Sequence, residues 1–371
     1  MIVLCPKKTK GIIIIMKSIM KIKAFLLIGI LVPGFLTSCY PFPPERTREM
    51  PVMAEPDAQT TFVASIEPYM PENPTASGDW PMRPIALIVP FLPGGDTDMY
   101  ARVFAPFLAD ALGQPIHVIN VDGASGTEGA EIVRSSMPEG DIILFYHTGN
   151  LFTNVLTGMT ELNYGDFDIA CVAMHCDANI MVIRADQGIN NAEQFLDFIK
   201  ENPGGLSVAT TITGFSFKLL RMAEIAGGFQ TTPVHVGGGS MMAPSILGGY
   251  TEMGYNNIAL FLEYIESGEM IPLWIAADER NALLPDVPTM AEVGIAGGYM
   301  GRSYFFAFPP GTDESILHRM SDTVLQITDN PLFKQQVFDL IAMPTFFVPY
   351  DDVTDYLGDM WVLVERLGIA Q

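Results

Sequence analysis

Of the 371 residues, 49% are hydrophobic and 17% charged, enough apolar mass for a sizeable core and too much for a disordered chain. The 20 basic and 42 acidic residues leave a net charge of −22, which excludes a broad nucleic-acid-binding face, because neutralising phosphates needs basic residues. Six of the basic residues lie in residues 1–38, a stretch without an acid, so the remainder holds 14 bases against 42 acids, net −28.

In residues 1–38, Lys17, Lys21 and Lys23 form a positive region, Ala24 to Val32 an apolar one, and Leu36-Thr37-Ser38-Cys39 closes it. This is the pattern of a secretory signal. Its last four residues match the lipobox of bacterial lipoproteins, in which small residues precede a cysteine that takes a diacylglycerol, so Cys39 is the expected lipidation site. The alternative, a membrane helix from Ile12 to Leu36, is interrupted by the three lysines and falls short of the ~20 apolar residues a bilayer requires. Residues 39–80 carry eight prolines and seven acids with no sustained apolar period, the composition of a solvated tether.

From Pro84 onward, short β-branched runs alternate with helical stripes. Strands are predicted at 84–89, 116–121, 142–146, 169–176, 180–183, 206–209, 234–236, 272–276 and 304–308. Helices are predicted at 96–112, 191–201, 215–226, 258–267, 313–328 and 350–367. The alternation implies parallel βαβ units and an α/β fold. With ~290 residues in this region two lobes are expected, since single cores stop growing at about 250–300 residues. Cys171 and Cys176 stand five steps apart on one predicted strand, ~16 Å at ~3.3 Å per residue, beyond disulfide reach. Alternation sends them to opposite faces, away from a shared metal with His175, so both are expected as buried thiols.

Four loops of small residues precede helix starts. Pro93-Gly94-Gly95-Asp96-Thr97-Asp98 joins the first strand to its helix, where glycines admit close approach and unpaired N–H groups at a positive dipole end suit an anion. The bland alternative is a turn capped by Asp96, Thr97 or Asp98. Gly123-Ala124-Ser125-Gly126 follows the second strand with G-x-x-G-x-x-G spacing and no placed acid, which argues against a dinucleotide site. Thr211-Ile212-Thr213-Gly214-Phe215-Ser216 and Gly237-Gly238-Gly239-Ser240 are the other two. Ligands of open α/β sheets bind beyond the carboxyl ends of strands, where such loops converge. No G-x-S-x-G, H-E-x-x-H or phosphate-loop motif is present, and the five histidines are scattered. Only His147, ending a strand beside Thr148, is placed to line a cleft.

With these motifs in order, the chain resembles the substrate-binding receptors of tripartite tricarboxylate transporters, the Bug family. The likeness covers about residues 80–371. It rests on Val89-Pro90-Phe91-x-Pro93-Gly94-Gly95-x-Thr97-Asp98, Leu112-Gly113-Gln114-Pro115, Gly123-Ala124-Ser125-Gly126, Leu284-Pro285-Asp286-Val287-Pro288-Thr289 through Gly294, and Pro309-Pro310-Gly311-Thr312. The resemblance implies a type II two-lobed periplasmic-binding-protein fold, with residues 81–181 plus 304–371 in one lobe, 182–303 in the other, and a ligand cleft between them. It implies capture of a small carboxylate, a di- or tricarboxylate or an amino acid, for delivery to integral membrane transporter subunits. The expected location is extracytoplasmic, the expected state a lipid-anchored monomer, and no metal, cofactor or catalysis is expected. Implied contacts are Pro93, Gly94, Gly95, Thr97, Asp98, Ala124, Ser125 and Gly126 from one lobe. Thr211, Thr213, Gly214, Ser216, Gly238 and Gly239 come from the other, with His147, Thr148 and Asn257 completing the set. Glu128 stands where the family frequently has Asn, and facing the cleft it would favour a ligand less acidic than citrate or one carrying an amine. A receptor that presents its ligand to a sensor kinase and a hydrolase using His147 are the alternatives.

Overall fold

Runs of isoleucine, valine and leucine too short for helices form most of two five-stranded sheets in the computed structural model, which describes residues 80–297 and 299–366. The signal, Cys39 and the tether up to Asp79 lie outside the described residues. In chain order the elements are β1 (Ile85–Val89), α1 (Asp96–Leu112), β2 (Ile116–Asn120), α2 (Thr127–Arg134), β3 (Ile142–His147), α3 (Thr148–Leu156), β4 (Asp168–Cys176) and β5 (Asn179–Arg184). Next come α4 (Ala192–Glu201), β6 (Ser207–Thr210), α5 (Phe215–Gly227), β7 (Thr232–His235), α6 (Met242–Leu247), β8 (Met253–Asn257) and α7 (Leu262–Glu266). The series closes with β9 (Met270–Ala276), β10 (Arg302–Phe308), α8 (Glu314–Asp329), α9 (Pro331–Ile341) and α10 (Tyr350–Arg366).

The first sheet has the order β2-β1-β3-β10-β4 and the second β7-β6-β8-β5-β9. Neither is wholly parallel, contrary to the βαβ expectation: β10 runs antiparallel to β3 and β4, and β5 antiparallel to β8 and β9. The reason is connectivity. Each of these strands enters its sheet from the other lobe, and so starts at the edge where the parallel strands end; Tyr304 near the start of β10 pairs with His147 at the end of β3. The expected lobe boundaries at 181/182 and 303/304 cut through β5 and β10, and the exchange of sheets occurs instead at 177–178 and within 277–301.

Helix ends follow local chemistry. Asn191 Oδ1 accepts from Gln194 N at 2.9 Å to start α4, and Asp313 Oδ1 accepts from Ser315 N at 2.9 Å to start α8. Gly113 ends α1 in the left-handed region at φ 70°, where an added Cβ would cost most residues strain. The helix predicted over 258–267 breaks into a 3₁₀ turn at Ile258–Leu260 and the short α7.

Aromatic rings fill both lobes. Phe104 packs on Phe333 with centroids 4.6 Å apart and on Phe306 at 5.4 Å, while Trp274 meets Phe195 at 5.4 Å. Cys171 and Cys176 are buried and free, and burial pushes both thiols up in pKa. Trp80, assigned to the tether by composition, belongs to the folded part. It is 7% exposed, its indole Nε1 donates to the Gly140 carbonyl at 2.9 Å, and its ring meets Phe308 edge-on. A Cβ on Gly140 would fall 2.3 Å from that Nε1. Replacing Trp80 by Ala is therefore expected to lower stability by about 3 kcal/mol or more in chemical denaturation; an unchanged midpoint would return Trp80 to the tether.

Candidate functional site

The carboxyl ends of β1, β2 and β3 and of β6, β7 and β8 supply the loops around one cavity of about 270 Å³. Four helices begin at its wall. Gly95 and Asp96 open α1, Ala124 and Ser125 precede α2, His147 and Asn150 start α3, and Phe215 and Ser216 start α5. Each start carries N–H groups without an intrahelical partner and the equivalent of about +0.5 charge, so the wall as a whole is set for an anion.

The Ala124–Gly126 turn is held in an unusual shape. Gly123, Ala124, Ser125 and Gly126 have φ of 154°, 45°, 55° and 95° in succession, a left-handed turn in which Gly126 N donates to the Gly123 carbonyl at 2.9 Å. Non-glycine residues in this region cost on the order of 1–3 kcal/mol each. The Ser125 carbonyl offsets part of this by accepting from Tyr146 Oη at 3.1 Å, Asn150 Nδ2 at 3.0 Å and Asn154 Nδ2 at 3.1 Å. A Cβ on Gly126 would lie 2.8 Å from Tyr146 Oη, so only glycine fits there. The same Asn150 accepts from Phe215 N at 3.0 Å, and Ser125 Oγ meets Thr213 Oγ1 at 2.8 Å, so the two lobes are joined across the cleft.

Arg302 begins β10 and lies in the cavity wall although only 3% exposed. Its Nη2 contacts Asp96 Oδ2 at 2.8 Å and donates to Asn256 Oδ1 at 2.8 Å and Asn179 Oδ1 at 3.2 Å. Tyr304 Oη donates to Asp96 Oδ2 at 2.7 Å, and Thr97 N to Asp96 Oδ1 at 2.9 Å. Burial alone would raise the Asp96 carboxyl, but the Arg302 charge and the hydrogen bond from Tyr304 outweigh it and hold it below the usual carboxylate range. His147 stacks on Phe91 at 5.3 Å, and burial with the Arg302 charge pushes its pKa down to about 3, so the ring is neutral. Its Nδ1 accepts from Asn150 N at 3.2 Å.

Of the residues singled out in the sequence, Gly95, Ala124, Ser125, His147, Thr211, Thr213, Ser216, Gly238 and Gly239 line the cavity. Pro93, Gly94, Thr97, Asp98, Gly126, Thr148, Gly214 and Asn257 do not. Most of their polar groups are committed elsewhere, although Thr97 Oγ1 is buried without a partner. Asp98 accepts from Gly94 N at 2.9 Å and binds Arg102 and Asn120, which shapes the loop from behind. Thr97 is buried, and Thr148 Oγ1 accepts from Ser303 N at 3.0 Å. Gly214 N bonds the Thr211 carbonyl at 2.7 Å, and Asn257 Nδ2 reaches Tyr100 Oη at 2.7 Å. Glu128 is exposed, lies against Gly123 and is absent from the wall. Besides the Arg302-paired Asp96, the carboxylate that lines it is Asp122, raised in pKa by burial and by the nearby Glu128.

The sequence reading took in Asp96 only as part of its loop and missed Asn150, Asn256, Phe215, His235 and Arg302. Asp96 had a signal, since it fills the variable place in the first glycine loop. Arg302 had none, because the strand was predicted to start two residues later. No described hydrogen bond joins His147 to a hydroxyl, and Ser125 Oγ and Ser216 Oγ are engaged with Thr213 and with Thr211 N, so the wall holds no nucleophile with its base. No group of three potential metal ligands exists among the described residues.

Residues 100–347 match the family model of the tripartite tricarboxylate transporter family receptor. BugT of Bordetella pertussis is 30% identical over 247 residues, 66% of this chain and 76% of its own length. A Cupriavidus necator protein from the gbd 5′ region is 27% identical over 305 residues, 79% of this chain and 90% of its own. Among solved structures, MatC from Rhodopseudomonas palustris with bound malate superposes with a TM-score of 0.68 at 23% identity, over 79% of this chain and 100% of its own. A second R. palustris protein, with adipate, gives 0.72 at 22% identity over 79% and 98%. The periplasmic binding protein BugD gives 0.68 at 23% over 78% and 99%, so the architecture is the two-lobed periplasmic-binding-protein fold. The chain belongs to the tripartite tricarboxylate transporter receptor family, the Bug proteins, and is an extracytoplasmic solute-binding receptor rather than an enzyme.

Proposed function

We propose that this receptor captures a small carboxylate between its lobes and delivers it to the integral membrane subunits of a tripartite tricarboxylate-type transporter. The observation that carries the reading is the meeting of four helix starts on one cavity of about 270 Å³. The malate of MatC and the adipate of its R. palustris neighbour are carboxylates held by proteins of the same fold. Charge-assisted bonds to N–H groups contribute ~1.5–3 kcal/mol each, and three or four reach the ~8 kcal/mol of micromolar affinity. The net −28 outside residues 1–38 does not oppose this, because screening over about 8 Å leaves local amides in control. The bridges from Ser125 to Thr213 and from Asn150 to Phe215 support lobe closure as the working motion. Cys39, by its lipobox, carries the lipid that keeps the receptor at the membrane.

Calorimetric titration with mono-, di- and tricarboxylates and amino acids tests the site. Gly95→Asp and Ser125→Asp, each placing a negative charge in the wall, are expected to weaken binding at least a hundredfold with little change in melting temperature. Binding that survives both would overturn the site. Asp122 has no cation among its described bonds or ion pairs, so Asp122→Asn should tighten a carboxylate severalfold, and weaker binding would show that the ligand uses that acid. For the anchor, Cys39→Ala should release the protein from membranes and remove the acyl mass seen in the unsubstituted protein; membrane retention without any acyl mass in the parent would refute lipidation.

A further inference from the structure

We infer that Nε2–H of His147 is a ligand contact, a neutral donor that the start of α3 holds toward an oxygen of the bound carboxylate. The inference rests on the carboxylate reading above and names one atom of the wall through which that ligand is recognised. His147 caps α3, its Nδ1 accepting from Asn150 N at 3.2 Å. A ring nitrogen that accepts from an N–H carries no proton, so in the neutral ring the proton is on Nε2. Nε2 has no hydrogen-bond partner among the described residues and yet is not fully buried, although the residue as a whole is only 2% exposed. The exposure that remains faces the cavity, whose wall includes the ring. A histidine serving only as a cap would be matched by Ser, Thr, Asp or Asn, the usual residues at such a position, which satisfy the helix without presenting a second donor.

The paired acid of the same wall does not claim this donor. Asp96 Oδ1 accepts from Thr97 N at 2.9 Å, and its Oδ2 takes Tyr304 Oη at 2.7 Å and Arg302 Nη2 at 2.8 Å. Three aromatic rings set the imidazole: Phe91 stacks on it at 5.3 Å with 12° between the planes, and Tyr304 and Phe215 meet it edge-on at 5.3 and 6.4 Å. Phe215 comes from the second lobe and approaches because residue 149 is glycine; a Cβ there would fall 2.7 Å from the Phe215 ring and 3.1 Å from His147 Nδ1. The donor direction is thus fixed before the ligand arrives, which reduces the ordering that binding costs. Burial and the Arg302 charge keep the ring neutral. The contact therefore adds a donor without a charge, and it requires an acceptor, since a ligand N–H at that place would leave two donors facing each other unpaired.

The test uses the native protein and two variants, titrated with succinate, adipate, citrate and glutamate, followed by a crystal structure of the native protein with the tightest of them. His147→Asn keeps an acceptor at the place of Nδ1 and removes the donor; it should melt close to the parent and lose at least fivefold in affinity. His147→Gln puts an amide N–H at the place of Nε2 and gives up the cap; it should melt lower than the Asn variant but bind more tightly. A merely structural histidine would not produce this crossed order, because stability and affinity would then fall together. In the crystal a ligand oxygen is expected within hydrogen-bond distance of Nε2. A folded Asn variant that loses less than fivefold, a folded Gln variant that binds no better than the Asn variant, or an Nε2 out of reach of every ligand oxygen in the crystal would overturn the inference; where the variants do not fold, the crystal decides. Failure of the unsubstituted protein to bind any of the four would overturn the carboxylate reading and this inference with it, and is distinguishable because the parent itself fails.

Discussion

A charge taken out of water must find its opposite, and the pair of Asp96 and Arg302 is where this requirement organises the molecule. Asp96 is the first residue of α1, Arg302 the first of β10, and through Asn179 and Asn256 the same guanidinium touches β5 and β8, two neighbouring inner strands of the second sheet. One buried contact thus joins the two lobes at the floor of the cleft. Tyr304 and Thr97 complete the hydrogen bonding of Asp96, so the acid serves its own helix start as well as the arginine.

Around this floor the site is built from donors. Helix starts and the left-handed turn of Ala124 and Ser125 supply backbone N–H groups, and His147 in the wall stays neutral because burial and Arg302 both oppose a second positive charge. The acids that do approach the opening, Asp122 and beyond it Glu128, set a limit on how much negative charge a ligand can bring.

Much of this was legible in the residues. The helix from Asp96 to Leu112 follows directly from its apolar stripe and its closing Gly113, and the glycine loops announce the helix starts that meet at the cleft. What was not legible depends on chain crossings. Met253-Gly254-Tyr255-Asn256-Asn257 is a fully buried strand, but glycine and two asparagines hide its pattern, and the asparagines are there because they serve Arg302 and Tyr100. Arg302 itself is distant in sequence from every loop it completes. The helices α2, α3, α6 and α9 were missed because short segments between loops carry few turns over which a period can be seen. Trp80 was assigned by the composition of its neighbours, whereas its indole answers to Gly140 and Phe308 far along the chain.

The crossings also set an order of assembly. Once the chain has been made as far as Ala276, all five strands of the second sheet exist, while the first sheet still has a gap between β3 and β4 that only β10 can fill. The lobe that begins first in sequence is thus the later to close. Until Arg302–Phe308 arrives, β3 and β4 each expose an unpaired edge of mostly buried-type side chains, the kind of edge that recruits other strands. This late strand is therefore the point at which protection from self-association matters most.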